Sequence, residues 1–124
     1  MSSTLRVTNV ADTTGGTSTN LMSGLAKAWS NLNGTGTIAE RDSFNISGYV
    51  DNGTGHYTFT ISNDMANANY TGSSSGDNNF QNAPFPKEGT SLSAGSFETI
   101  HSENGAFGSY DPTYANIQIF GDLA

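Results

Sequence analysis

Phe44-Asn-Ile-Ser-Gly-Tyr-Val50, Asp51-Asn-Gly-Thr-Gly55 and His56-Tyr-Thr-Phe-Thr-Ile-Ser62 run consecutively in this chain, and together they read as a β-hairpin. In the second arm Tyr57, Phe59 and Ile61 alternate with His56, Thr58, Thr60 and Ser62, the period of a strand with one face in a core and one in water. In the first arm Phe44, Ile46 and Val50 are expected to share a face. The residues between the arms tolerate positive φ, as a tight hairpin turn requires.

The same alternation recurs further on. Ser96 to His101 places Phe97 and Thr99 on one face and Glu98 and Ile100 on the other, and Tyr114 to Phe120 places Ile117 and Ile119 opposite Gln118 and Phe120. Phe120 on the second face points to burial on both sides of that strand, in the sheet or at a subunit contact. Leu21 to Leu32 reads two ways: Leu21, Met22, Leu25, Ala28 and Trp29 lie near helical spacing, while a strand from about Lys27 to Leu32, the favoured reading, fits equally. Asn63 to Gly95 is expected to be mostly loop. Asn69-Tyr-Thr71 starts a strand there, Gly72 to Asn79 (GSSSGDNN) is turn-like, and Pro84-Phe-Pro86 is a stiff stretch. Leu5 to Val10 carries a weak strand signal, followed by a polar, Gly/Thr-rich linker to Asn20. Asn33-Gly-Thr-Gly-Thr37 and Asn52-Gly-Thr-Gly-His56 echo each other, a match that so biased a composition also produces by chance.

Ser, Thr, Asn and Gly make up nearly half of the 124 residues, and the hydrophobic share is 34%. Such a chain favours short strands and many turns over helices. A domain this small and this poor in apolar side chains is expected to draw part of its burial from partner subunits. The fold class is therefore all-β, an antiparallel β-sandwich or jelly-roll-like knob over residues 21–124, with an extended N-terminal anchoring segment over residues 1–20.

Charge and chemistry exclude several functions. With a net charge of −7 and four cations, Arg6, Lys27, Arg41 and Lys87, the chain lacks the basic cluster that phosphate neutralisation needs, so no nucleic-acid partner is expected. Membrane insertion is not expected either, because no apolar run approaches spanning length. Without cysteine there is no disulfide or thiolate metal site. His56 and His101 are the only histidines, no nucleophile-elbow pattern surrounds any serine, and Asp51-Asn-Gly53 and Asp77-Asn-Asn79 lack the bidentate acid of a calcium loop. The expectation is a non-enzyme with no cofactor and no metal. The four Asn-x-Ser/Thr patterns are read as silent, because the start MSSTLRVTN lacks a signal pattern and the chain is expected to be made in the cytoplasm. Aromatic residues in or near Gly/Asn-rich loops, Tyr70, Phe80, Phe85, Phe107 and Tyr110, are candidate ligand-facing rings, with Tyr114 close by. Leu5, Val7, Val10, Trp29 and Phe120 are candidate docking or interface residues.

The run Ala26-Lys-Ala-Trp29, Asn33-Gly-Thr-Gly-Thr37, Arg41-Asp-Ser-Phe-Asn-Ile-Ser47, Asp51-Asn-Gly-Thr-Gly55 and Tyr57-Thr-Phe resembles a module of tail-fibre and other virion proteins of marine and cyanobacterial phages. Leu5-x-Val7-x-Asn9-x-x-Asp12-Thr-x-Gly-Gly16 is similar to the lead-in of those proteins, and Ala115 to Asp122 is similar to their last strand; Asn63 to Glu98 has no counterpart. The resemblance implies a β-rich, typically trimeric structural or receptor-facing domain and no catalytic residues. No heptad, collagen-like or extended repeat supplies a shaft. The expectation is thus a homotrimeric virion protein, a capsid decoration or short head or tail appendage contacting other virion proteins. The alternative is a receptor- or carbohydrate-binding module facing a host-surface glycan.

Overall fold

The computed structural model describes residues 3–11, 14, 18–76, 92–101 and 109–124. Within them the chain is an all-β antiparallel sandwich. Its strands are β1 (Asn9–Ala11), β2 (Ser18–Asn20), β3 (Ala28–Asn33), β4 (Ala39–Phe44), β5 (Ile46–Gly53), β6 (His56–Ile61), β7 (Thr71–Gly76), β8 (Ser96–Ile100) and β9 (Ala115–Phe120). A four-stranded sheet runs β4-β3-β9-β7 and a three-stranded sheet runs β5-β6-β8, while β1 and β2 pair only with each other.

Leu21 to Leu32 turns out to hold both of its readings. Leu21–Gly24 is a single helical turn, α1, capped by the Asn20 side chain, which accepts hydrogen bonds from the Met22 and Ser23 amides. β3 follows, with Ala28, Ser30 and Leu32 buried. Lys27 between them is buried, and its Nζ donates to the carbonyls of Met22 and Leu25 at the end of the turn.

Two sheets of unequal side-chain size make the core. Tyr57, Phe59, Ile61 and Phe97 come from the three-stranded sheet; Ala28, Leu32, Ala115, Ile117 and Ile119 come from the four-stranded one, with Met65 and Tyr70 from the connection after β6. The alternations expected for β6, β8 and β9 hold, since Phe59 lies opposite Phe97 and Tyr57 opposite Thr99, all four buried.

Phe44 and Val50 do not share the inward face expected of them. Both are exposed. The chain leaves the first sheet at Phe44, turns at Asn45 (φ 57°) and enters the second at Ile46. A register shift between Ile46 and Gly48 then advances the pleat, so Tyr49 lies opposite buried Phe59 and Val50 opposite Thr58.

Gly72 to Gly76 is not a turn. It is most of β7, paired with β9 from Thr71↔Phe120 to Gly76↔Ala115. The Gly/Ser composition answers to packing: an added Cβ on Gly72 would sit 2.6 Å from the Phe97 ring, so the small face of β7 receives the aromatic face of β8.

Candidate functional site

Among the described residues, three places gather polar chemistry. At one end of the sandwich, Asp111 Oδ1 accepts hydrogen bonds from the Gly55 amide (2.7 Å) and the Tyr57 hydroxyl (2.9 Å). The Tyr57 hydroxyl also reaches the Gly34 carbonyl, and the Gly34 amide donates to the Pro112 carbonyl. Burial first, and then the Asp111 carboxylate, raise the Tyr57 phenol well above its ordinary pKa. Gly55 has a φ of 68°, and a Cβ there would lie 2.5 Å from the His101 and Tyr110 carbonyls. The two Asn-Gly-Thr-Gly segments therefore meet the same Asp111-Pro112 segment, and the cluster closes the end of the core.

The second place is the outer face of the three-stranded sheet, where His56 Nε2 contacts Glu98 Oε1. They are diagonal neighbours across β6 and β8, because His56 lies opposite Ile100 and Thr58 opposite Glu98. His101 is fully buried with its ring 5.9 Å from that of Tyr57. The two histidines thus occupy different layers of the fold. Among the described residues no group of three or more His, Cys, Asp or Glu is placed to hold a metal ion, and no helix is long and apolar enough to cross a membrane.

The third place is the outer face of the four-stranded sheet. Strand register lines up two rows across it: Phe44–Trp29–Gln118–Ser73 and Asp42–Asn31–Asn116–Ser75. Trp29 and Phe44 are 36% and 54% exposed, side by side. The short serines of β7 leave a trough of about 340 Å³ lined by Trp29, Asn31, Ser73, Ser75, Asn116 and Gln118, with Ser30, Ser74 and Ile117 also contributing. A register shift between Asn31 and Leu32 turns Arg41 to this side. Its guanidinium donates to Asn31 Oδ1 and Asn33 Oδ1 and lies 4.4 Å from the centre of the Tyr114 ring.

The predicted site residues are scattered over the fold. Tyr70 is not ligand-facing: it is 8% exposed, packs near Phe97, and donates its hydroxyl to the Ser93 and Ser96 carbonyls. Burial pushes its phenol up to about 12. Tyr110 is half-buried beside the closed end, its amide donating to the His101 carbonyl. Phe80, Phe85 and Phe107 lie outside the described residues, as does Asp77-Asn-Asn79. Among the docking candidates, Leu5, Val10 and Trp29 are exposed, and Val7 and Phe120 are half-buried. The rows around Trp29 were missed because they come from four strands distant in sequence; the alternation of Trp29, Asn31 and Asn33 with Ala28, Ser30 and Leu32 was the available signal. Comparison with protein-family models, curated proteins and solved structures finds no match for this chain.

Proposed function

We propose that this chain is a non-enzymatic structural protein of a bacteriophage virion, a capsid decoration protein or short head or tail appendage, working as a homotrimer. Residues 1–20 dock it onto other virion proteins and the sandwich stands as the exposed knob. The observation that carries the reading is the uneven placement of apolar side chains. Leu5 and Val10 are both exposed within residues 1–20, Leu5 at 83%, and the β1–β2 hairpin there belongs to neither sheet of the sandwich. Apolar groups exposed on a small hairpin and the segment leading into it, outside the sandwich, are what a docking anchor offers its partner. The likeness to phage virion modules supports the same assignment and is the source of the threefold order.

The test is deletion of residues 1–20. The truncated protein is expected to keep the thermal transition of the sandwich and to lose incorporation into particles, as read by imaging and by co-sedimentation with virions. Normal incorporation of the truncated protein ends the anchor assignment. Sedimentation of the full chain as a single subunit at micromolar concentration ends the trimer.

A further inference from the structure

We infer that the trough beside Trp29 is a binding site for a neutral oligosaccharide, which lies across the strands along the Phe44–Trp29–Gln118–Ser73 row. Small-molecule sites typically span about 300–1,000 Å³ and combine apolar walls with a few convergent polar groups. This trough, at about 340 Å³, has that make-up: one indole wall, the amides of Asn31, Asn116 and Gln118, and the hydroxyls of Ser73 and Ser75. An exposed indole on a sheet face offers a flat apolar surface with a polar edge, suited to a ligand whose ring face is apolar and whose rim is hydroxylated.

Three further observations narrow the ligand. No lining residue is ionisable, and the chain carries a net charge of −7, so the site is matched to an uncharged ligand and the molecule repels uronates and sialylated chains. Arg41, the nearby cation, is already engaged by Asn31, Asn33 and the Tyr114 ring. Asn116 Oδ1 accepts no hydrogen bond from the described residues, and its Nδ2 has a single long contact, 3.4 Å to Ser75 Oγ. A buried acceptor left without a donor beside the trough is matched by a hydroxyl, which both donates and accepts.

The aromatic pair sets the direction of the ligand. Neighbouring strands lie about 4.8 Å apart, close to the length of one sugar residue in an extended chain. A ring on Trp29 therefore places the next residue of the chain over Phe44, its opposite number on β4. Phe44 then matters for oligosaccharides and little for a single sugar.

Trp29 is the only tryptophan, so its fluorescence reports on the site directly. The experiment titrates the full chain with glucose, galactose and mannose hexasaccharides and their monosaccharides, with an alginate hexasaccharide as the anionic comparison, up to about 10 mM. At least one neutral hexasaccharide is expected to shift the emission saturably, and alginate to leave it unchanged. Gln118→Ala is expected to weaken that binding about tenfold with the thermal transition intact. Phe44→Ala is expected to weaken the hexasaccharide by a similar factor and to leave the matching monosaccharide within about twofold. Trp29→Ala, followed by calorimetry, is expected to abolish binding. No response to any neutral hexasaccharide overturns the site, as does alginate binding at equal strength. Iodide quenching settles accessibility: a Trp29 shielded in the assembled protein and indifferent to sugars is an interface residue, and the inference fails while the oligomer stands.

Discussion

Asn45 is the residue on which the two sheets turn. Its side chain donates to the carbonyls of Lys27, just before β3, and Asn63, just after β6, and accepts from the Asn63 amide and side chain. Its positive φ is a conformation that asparagine adopts more readily than other residues with a Cβ. Asn45→Ala removes the hydrogen bonds and adds left-handed strain, whereas Asn45→Gly removes the hydrogen bonds alone. Urea denaturation is expected to show both variants destabilised, the alanine by about 1 kcal/mol more than the glycine. Tyr70 carries a second prediction. Its phenol titrates near 10.0 when unfolded and near 12 when folded, so the folded state favours the neutral form. The stabilisation is complete below pH 10 and is lost as pH rises toward 12. Alkaline thermal melts should therefore fall steeply in that window, and Tyr70→Phe should make the fall shallower. Neither role was legible in the linear pattern: Asn45 sat inside an alternating run, and Tyr70 sat in a Gly/Asn-rich stretch that looks exposed until its partners in the Ser93–Ser96 turn are brought alongside.

At the level of single elements, β6 and β7 are opposites. β6 announces itself, because large apolar residues at every second position have one stable solution, a strand with its aromatic face inward. Phe59→Ala on that face should cost about 3–5 kcal/mol in a denaturation series, and a near-silent result would show that Phe59 is not a core side chain. β7 carries no such signal, since Thr71-Gly-Ser-Ser-Ser-Gly76 has the composition of a linker. It is a strand because β9 offers it a hydrogen-bonding edge and because Phe97 needs a facing surface without side-chain bulk. Gly72→Val, on the core face, is expected to destabilise the protein by about 1–3 kcal/mol through overpacking. Thr71→Val, exposed on the same strand, should stay within about 0.5 kcal/mol of the parent. The contrast between adjacent positions measures how far size complementarity, rather than strand propensity, holds β7 in place.

Over the whole molecule, the polar composition is reconciled with a folded core by economy of contact. Among the described residues eleven buried apolar side chains, drawn from both sheets and the connection after β6, meet in one cluster, and hydrogen-bonded clusters around Asp111 and Asn45 close one end and a corner. The outer faces keep the Ser, Thr and Asn that dominate the chain, and the exposed apolar residues include Leu5 and Val10 in the N-terminal segment and the side-by-side Trp29 and Phe44, with Met22, Leu25, Val50, Tyr114 and Leu123 elsewhere. Leu5 and Val10 support the anchor and the Trp29–Phe44 pair supports the saccharide site, and the two proposals stand or fall by separate measurements. The amino-acid sequence on its own determined the all-β class, the central hairpin and the inward faces of β6, β8 and β9, because a period of two is a local property of a strand. Only the tertiary structure decided the corner at Asn45, the shifted register that turns Val50 outward, the strand made of glycine and serine, and the rows that flank Trp29. Each of those depends on which segments become neighbours, and neighbours across a sheet are set by packing between residues far apart in the chain.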